Sequence, residues 1–329
     1  MPVILHSHEM HPFLQTSGGS GTIELERAVQ QDCRPLEIAV LNLMADKQGT
    51  ERQLARWLGH TPLQINLTFA ATDGYMQGVR SPSFNSTNDP SGHTRKFYKS
   101  WSEIKQDKFD GLLITGVNLL EPDVTCEALW PEIQEIFRWS ASNVFSSLFL
   151  CWAAFAGLRY FHEIECFNQP AKILGIFEHN ILSDEANLLF GFPDRFPVPI
   201  GRWQSLHGQN VAKRDGLEVV SSSEEGGPFL VSENVRYRGG KVYPRRVFML
   251  NHPEYDTESI RHEYARDLLT WPNAHVPANY FPGDDVQKQP INVWRHAGNV
   301  YVNWVKTIYE ATPFDLDRIP APIQDSISF

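Results

Sequence analysis

The sequence predicts an α/β fold, a mainly parallel sheet flanked by helices. Two observations carry that expectation. Strand-like apolar runs alternate with helix-like segments, which argues for a parallel sheet covered on both faces. Gly116, Cys151 and His252 all fall at the ends of predicted strands. Active sites of such sheets lie beyond the carboxyl ends of the strands.

Residues 1–33 read as an irregular N-terminal arm, with Ser17-Gly-Gly-Ser-Gly21 near its middle. His6, His8 and His11 lack an accompanying Cys or carboxylate framework, so no metal site is expected there. Residues 34–316 form a single α/β domain, and residues 317–329 a tail. Leu36–Leu43 is a buried strand. Thr50-Glu-Arg-Gln53 resembles a capping box opening a helix with Leu54, Trp57 and Leu58 on one face, ended by Gly59. Leu63–Phe69 alternates as a strand does. Residues 72–94, rich in Gly, Ser, Asn and Pro, form a loop. Phe109–Thr115 is the third strand. Trp130–Trp139 is a helix, and Val144–Leu150 a strand running into Cys151. Further strands fall near 173–177, 217–220, 228–233 and 246–250. Asp256–Thr270 is a helix with its charges facing away from Ile260, Tyr264 and Leu268, and Asn299–Glu310 is the last helix.

The 329 residues are 42% hydrophobic, enough for a substantial core, and the net charge is −10. That balance does not fit a basic nucleic-acid footprint. Four cysteines in a chain this long are no disulfide framework. No apolar stretch reaches transmembrane length, and the N-terminus lacks the basic start and apolar core of a signal peptide. A cytoplasmic location without membrane attachment is the expectation.

Cys151 sits between the apolar strand and the small-residue segment Trp152-Ala-Ala-Phe-Ala-Gly-Leu158. A cysteine on such a turn meets a helix N-terminus, whose partial positive charge and free N–H groups favour a thiolate. The same N–H groups can stabilise an oxyanion when sulfur attacks a carbonyl. A second apolar strand ends in His252-Pro-Glu254. Cys, His and Glu at strand ends are the parts of an activated thiol nucleophile. Taken singly, the Cys reads as a small buried hydrophobe and the His-Pro-Glu as a turn. It is their joint placement that points to chemistry.

Longer words complete the picture: Leu41-Asn-Leu-Met44, Thr61-Pro-Leu-Gln64, Thr115-Gly116, Cys151-Trp-Ala153, Glu178-His179, His252-Pro-Glu-Tyr-Asp256, Asn279-Tyr-Phe-Pro282, Trp294-Arg295, Asn303-Trp304 and Thr312-Pro-Phe-Asp-Leu316. From about Arg34 to Leu316 the chain resembles the homoserine O-acyltransferase family, the transsuccinylase and transacetylase type. The resemblance implies a class I glutamine amidotransferase-like (flavodoxin-like) three-layer sandwich. It implies acyl transfer from acyl-CoA to the hydroxyl of homoserine, with acyl-CoA consumed as a substrate and no permanently bound cofactor or metal. Cys151 matches the nucleophile, His252 the general base and Glu254 its orienting partner. The Trp152 N–H is the expected oxyanion donor. Lys172 and Arg266 match substrate-binding cations, Arg266 holding the amino acid's carboxylate by its fork. Lys47 matches a family lysine near the site. The family also suggests a homodimer.

The departures concern specificity. Where the family discriminates acyl donors, with Gly for succinyl and Glu for acetyl, this chain has Leu120. Leu120 fills the space a succinyl tail needs and offers its carboxylate no partner, so acetyl-CoA is the expected donor. Gly201 replaces a substrate-contacting Ser in Pro199-Ile-Gly-Arg202, and Ala45-Asp46 replaces Pro-Lys. Trp294-Arg-His-Ala297 replaces Trp-Arg-Ser-His. L-serine or another hydroxy amino acid is therefore the alternative acceptor. A glutamine amidotransferase or hydrolase, and a non-catalytic binding protein, are the competing classes.

Overall fold

The computed structural model describes residues 3–5, 22–24, 34–78, 92–117, 123–236 and 242–319. Its frame is a twelve-stranded sheet: β1 (Val3–Leu5), β2 (Thr22–Glu24), β3 (Leu36–Leu41), β4 (Ile65–Ala71), β5 (Lys99–Ser100), β6 (Phe109–Ile114), β7 (Val144–Leu150), β8 (Phe167–Ile181), β9 (Arg195–Ser205), β10 (Leu217–Ser223), β11 (Gly227–Arg236) and β12 (Val242–Met249). The order is β2-β1-β4-β3-β6-β7-β12-β11-β10-β8-β9, with β5 against β4. Pairing is parallel from β2 to β12 and antiparallel from β12 to β9.

The sheet is covered on both faces because its central strands bury alternate residues on opposite sides. Ile38, Val40, Leu148, Val247 and Met249 join one apolar cluster, with Leu54 and Leu58 of α1 (Lys47–Leu58) and Trp304 of α5 (Asn299–Ala311). Ala39, Leu41, Phe149 and Phe248 join the other, with Phe137 of α2 (Trp130–Asn143) and Phe155 of α3 (Trp152–His162). A third cluster packs Ile260 of α4 (Ser259–Thr270) on Leu174 and Ile176 of β8. This is the α/β three-layer arrangement expected.

Several local expectations are corrected. Helix α1 begins at Lys47, not Thr50. Asp46 is its N-cap, accepting a hydrogen bond from the Gly49 N–H at 2.8 Å, so the acidic replacement at 46 serves the helix start. The segment taken as a loop contains helical turns at Asp73–Met76 and His93–Phe97. The arm contributes β1 and, at the edge of the sheet, β2, and β9 went unanticipated. On α4 the buried residues are Ile260, Glu263 and Asp267, while Leu269 is exposed, so two of its acidic residues face inward beside Ile260. Among the described residues no helix is long and apolar enough to cross a membrane.

Candidate active site

The site is built where β7 and β12 lie side by side in parallel, with Leu150 opposite Met249. Cys151 follows β7 directly. Its N–H donates to the Met249 carbonyl at 2.7 Å, and its backbone takes φ 52°, ψ −115°. A non-glycine residue with positive φ is strained, and here the strain turns the chain sharply from strand into α3. Gly116, at the end of neighbouring β6, makes room for that turn. A Cβ on Gly116 would lie 3.0 Å from the Cys151 Cβ, 3.5 Å from the Trp152 nitrogen and 3.6 Å from the Cys151 sulfur. Trp152 is the first residue of α3, where a backbone N–H has no partner within the helix. The space beside the sulfur is thus kept open and faces a free donor.

His252 lies just past β12, its N–H donating to the Pro199 carbonyl at 3.0 Å. Its Nδ1 donates to Glu254 Oε1 at 2.7 Å, and Tyr301 of α5 donates to Glu254 Oε2 at 3.0 Å. All three side chains are buried. Burial opposes charge on the imidazole, but the neighbouring Cys151 and Glu254 prevail and hold His252 well above its ordinary value. The imidazole also hydrogen-bonds Cys151. The phenol ring of Tyr255 stacks on it with centroids 4.3 Å apart and planes 17° apart. Burial first, then the neighbouring carboxylates, push the hydroxyls of Tyr255 and Tyr301 well above the usual phenol range, so both remain donors.

A cavity of about 510 Å³ opens in front of the sulfur, lined by Cys151, Lys172, Gly201, Arg202, Glu263 and Arg266 among others. Lys172 of β8 pairs with Glu263 at 2.7 Å and with Asp267 at 2.5 Å. Arg266, half exposed, lies 3.6 Å from Glu263. Glu263 is buried. Although burial raises it, Lys172 and then His252 and Arg266 bring its pKa below the usual carboxylate value. The carboxylate occupies the space a side chain at Gly201 would enter, since a Cβ there would stand 2.7 Å from Glu263 Oε2.

The structure therefore brings together Cys151, Trp152, His252, Glu254, Lys172, Arg266 and Gly201. Lys47 is held apart from the cavity's described lining. It is buried, donates to the carbonyls of Asn42 at 2.8 Å and Met44 at 3.2 Å, and lies over the Tyr75 ring. Leu120 lies outside the described residues. Sequence reasoning missed Arg202, Tyr255, Glu263 and Tyr301. Glu263 had a signal: it sits three residues before Arg266, on one helix face.

A parallel α/β sheet with a cysteine on a strand-to-helix elbow and a buried His–Glu pair beside it has the parts of an activated thiol nucleophile. The sequence model of the homoserine O-succinyltransferase family matches residues 3–314. The chain belongs to this family of acyltransferases. It is 38% identical over 293 residues to a homoserine O-acetyltransferase of Hyphomonas neptunium and 39% identical to one of Brucella canis, in each case over 89% of this chain and 90% of the relative. Among solved structures, SMU.1228c superposes with a TM-score of 0.51 at 11% identity, over 83% of this chain and 99% of that one. A glutamine amidotransferase of Thermotoga maritima gives 0.49 at 10% identity, over 84% and 98%.

Proposed function

We propose that this acyltransferase moves an acyl group from acyl-CoA to the hydroxyl of L-homoserine through an acyl-Cys151 intermediate. The observation that carries this reading is the elbow itself: a strained, cavity-lining Cys151 hydrogen-bonded to an imidazole that Glu254 orients. In the first half-reaction the Cys151 thiolate attacks the thioester carbonyl and the carbon–sulfur bond to CoA breaks. The protonated His252 gives its proton to the departing thiolate. The Trp152 N–H holds the oxyanion between these events. In the second half-reaction neutral His252 takes the proton of the acceptor hydroxyl. The oxygen attacks the thioester, and the Cys151 thiolate leaves beside an imidazolium.

Lys172 and Arg266, already in the cavity with Glu263 and Asp267, are the substrate-binding cations, with Arg266 on the amino acid's carboxylate. Acetyl is the favoured donor. A leucine at position 120, where the family discriminates donors, has no group to pair with a succinyl carboxylate, and the relatives named above carry the acetyl name, whereas the family model carries the succinyl one.

The test incubates the protein with acetyl-CoA or succinyl-CoA and with L-homoserine or L-serine, following thiol release and product mass. Acetyl-homoserine formed by the wild type and not by Cys151→Ala is the expected outcome. Succinyl transfer would overturn the donor preference, serine transfer the acceptor, and transfer by Cys151→Ala the covalent intermediate.

A further inference from the structure

Arg202 on β9 is a buried cation that the proposed chemistry leaves without a role. Its Nε donates to Asn251 Oδ1 at 3.1 Å, and its two terminal nitrogens donate to the carbonyls of Gln204 and Gly226. Every one of these acceptors is neutral. Asn251 in turn donates through Nδ2 to His179 Nε2 at 3.0 Å. His179, whose Nδ1 donates to the Phe177 carbonyl at 2.9 Å, is itself neutral: burial draws it down to about 4. Among the described residues no carboxylate lies within ion-pair distance of Arg202. A buried guanidinium held only by neutral groups is costly unless an anion faces it.

The other charges of the cavity pair off. Lys172 meets Glu263 and Asp267, Arg266 meets Glu263, and His252 meets Glu254. Among the described lining residues only Arg202 is left over, and it lines the same cavity as the Cys151 sulfur. We propose that Arg202 is the fixed counter-ion of the Cys151 thiolate, clamped by neutral acceptors so that its charge stays directed at the sulfur. Burial pulls the guanidinium down to about 10, and the negative charge on Cys151 acts against that fall. The arrangement keeps the site electrically balanced at both stages. With thiolate and imidazolium present, Arg202 and Glu254 complete the balance. When sulfur becomes a neutral thioester and His252 has lost its proton, Arg202 and Glu254 still balance each other. Charge therefore need not enter or leave this group of four side chains during turnover.

The inference rests on Cys151 being the nucleophile, but its test needs neither acyl donor nor acceptor. Failed acyl transfer with a reactive Cys151 would overturn the proposed substrates and leave Arg202 untouched. The full-length protein is treated with iodoacetamide across a pH series, and alkylation is quantified on the Cys151 peptide by mass spectrometry, so the other cysteines do not interfere. Arg202→Gln should move the midpoint of the Cys151 profile upward by about one pH unit or more, because an opposite charge within reach is worth that much. Below the wild-type midpoint the rate should then fall about tenfold. Arg202→Lys, which keeps the charge but loses the fork, should lower thermal stability and hold the wild-type profile. An unchanged profile in Arg202→Gln alongside lost stability would mean a structural clamp and overturn the proposal. So would a Lys variant shifted upward. If the Gln variant does not fold, Arg202→Met, neutral and of similar reach, takes its place: an upward shift of about one pH unit is expected, and an unchanged midpoint overturns the proposal.

Discussion

Two buried glutamates flank Tyr255, and they are set up differently. Glu254 accepts from His252 and from Tyr301, and none of the three is among the residues lining the cavity. Glu263 lines the cavity and is surrounded by cations, Lys172 and Arg266, and by the Tyr255 hydroxyl at 3.1 Å. Tyr255 touches both regions, its ring on the imidazole and its oxygen on Glu263. A carboxylate that only orients a base should act in both half-reactions. One that lines the cavity among cations should matter when the acceptor arrives. The two environments thus assign the same side chain to different steps.

The sharpest way to break this contrast is to neutralise each carboxylate. Glu254→Gln keeps the shape but removes the charge that holds the imidazole in its tautomer. It should slow acylation of Cys151 and transfer to the acceptor together, on the order of 10³-fold. Rapid-quench measurement of each half-reaction checks this. If acylation stays fast, Glu254 belongs to the acceptor step. Glu263→Gln should leave acylation within about twofold and lower kcat/KM for the acceptor about 10- to 100-fold, as expected when one partner of a buried charged cluster is lost. Equal losses in both steps would erase the distinction.

Gly201→Ala probes the same wall with a smaller change. The new Cβ would stand 2.7 Å from Glu263 Oε2 and 3.1 Å from its Cδ, so the carboxylate must move from Lys172. Overpacking of this kind costs about 1–3 kcal/mol. A lower melting temperature and a raised acceptor KM, with unchanged Cys151 acylation, are the expected outcome. Unaltered acceptor kinetics would show that Glu263 has room to yield.

The parallel half of the sheet was legible because its signals are local. The runs ending at Ile114 and Leu150 are buried throughout and close on Leu112-Leu-Ile114 and Leu148-Phe-Leu150, as strands covered on both faces do, and Cys151 and His252 fall just past strand ends. Strand β9 was not legible. Pro197 and Pro199 interrupt it, and proline inside a run argues against a strand. It lies at the edge of the sheet, where the missing donors are tolerated. With it went Arg202, whose role depends on what lies across the fold. Helix α4 was misread for a related reason. Periodicity places Glu263 and Asp267 on one face but cannot say that Lys172 of β8 waits there to pair with them. Asp46 as the helix cap was missed because Thr50 and Gln53 offered a more familiar pattern.

The smallest expected effects separate the two carboxylates most finely, because each accepts from one tyrosine. Tyr301→Phe removes the donor to Glu254 Oε2 and leaves a buried oxygen short of one hydrogen bond, a cost of about 1–3 kcal/mol in stability. Glu254 keeps His252 through its other oxygen, so kcat should fall only several-fold, in both half-reactions alike. Tyr255→Phe keeps the ring on the imidazole and removes only the donor to Glu263. Its penalty should appear as a raised acceptor KM with the acylation rate preserved. The double variant should then show additive losses, since each hydroxyl serves a different carboxylate. Strong coupling between the two would mean that the stacked Tyr255–His252 pair joins Glu254 and Glu263 into one unit, and that binding the acceptor and orienting the base are a single event.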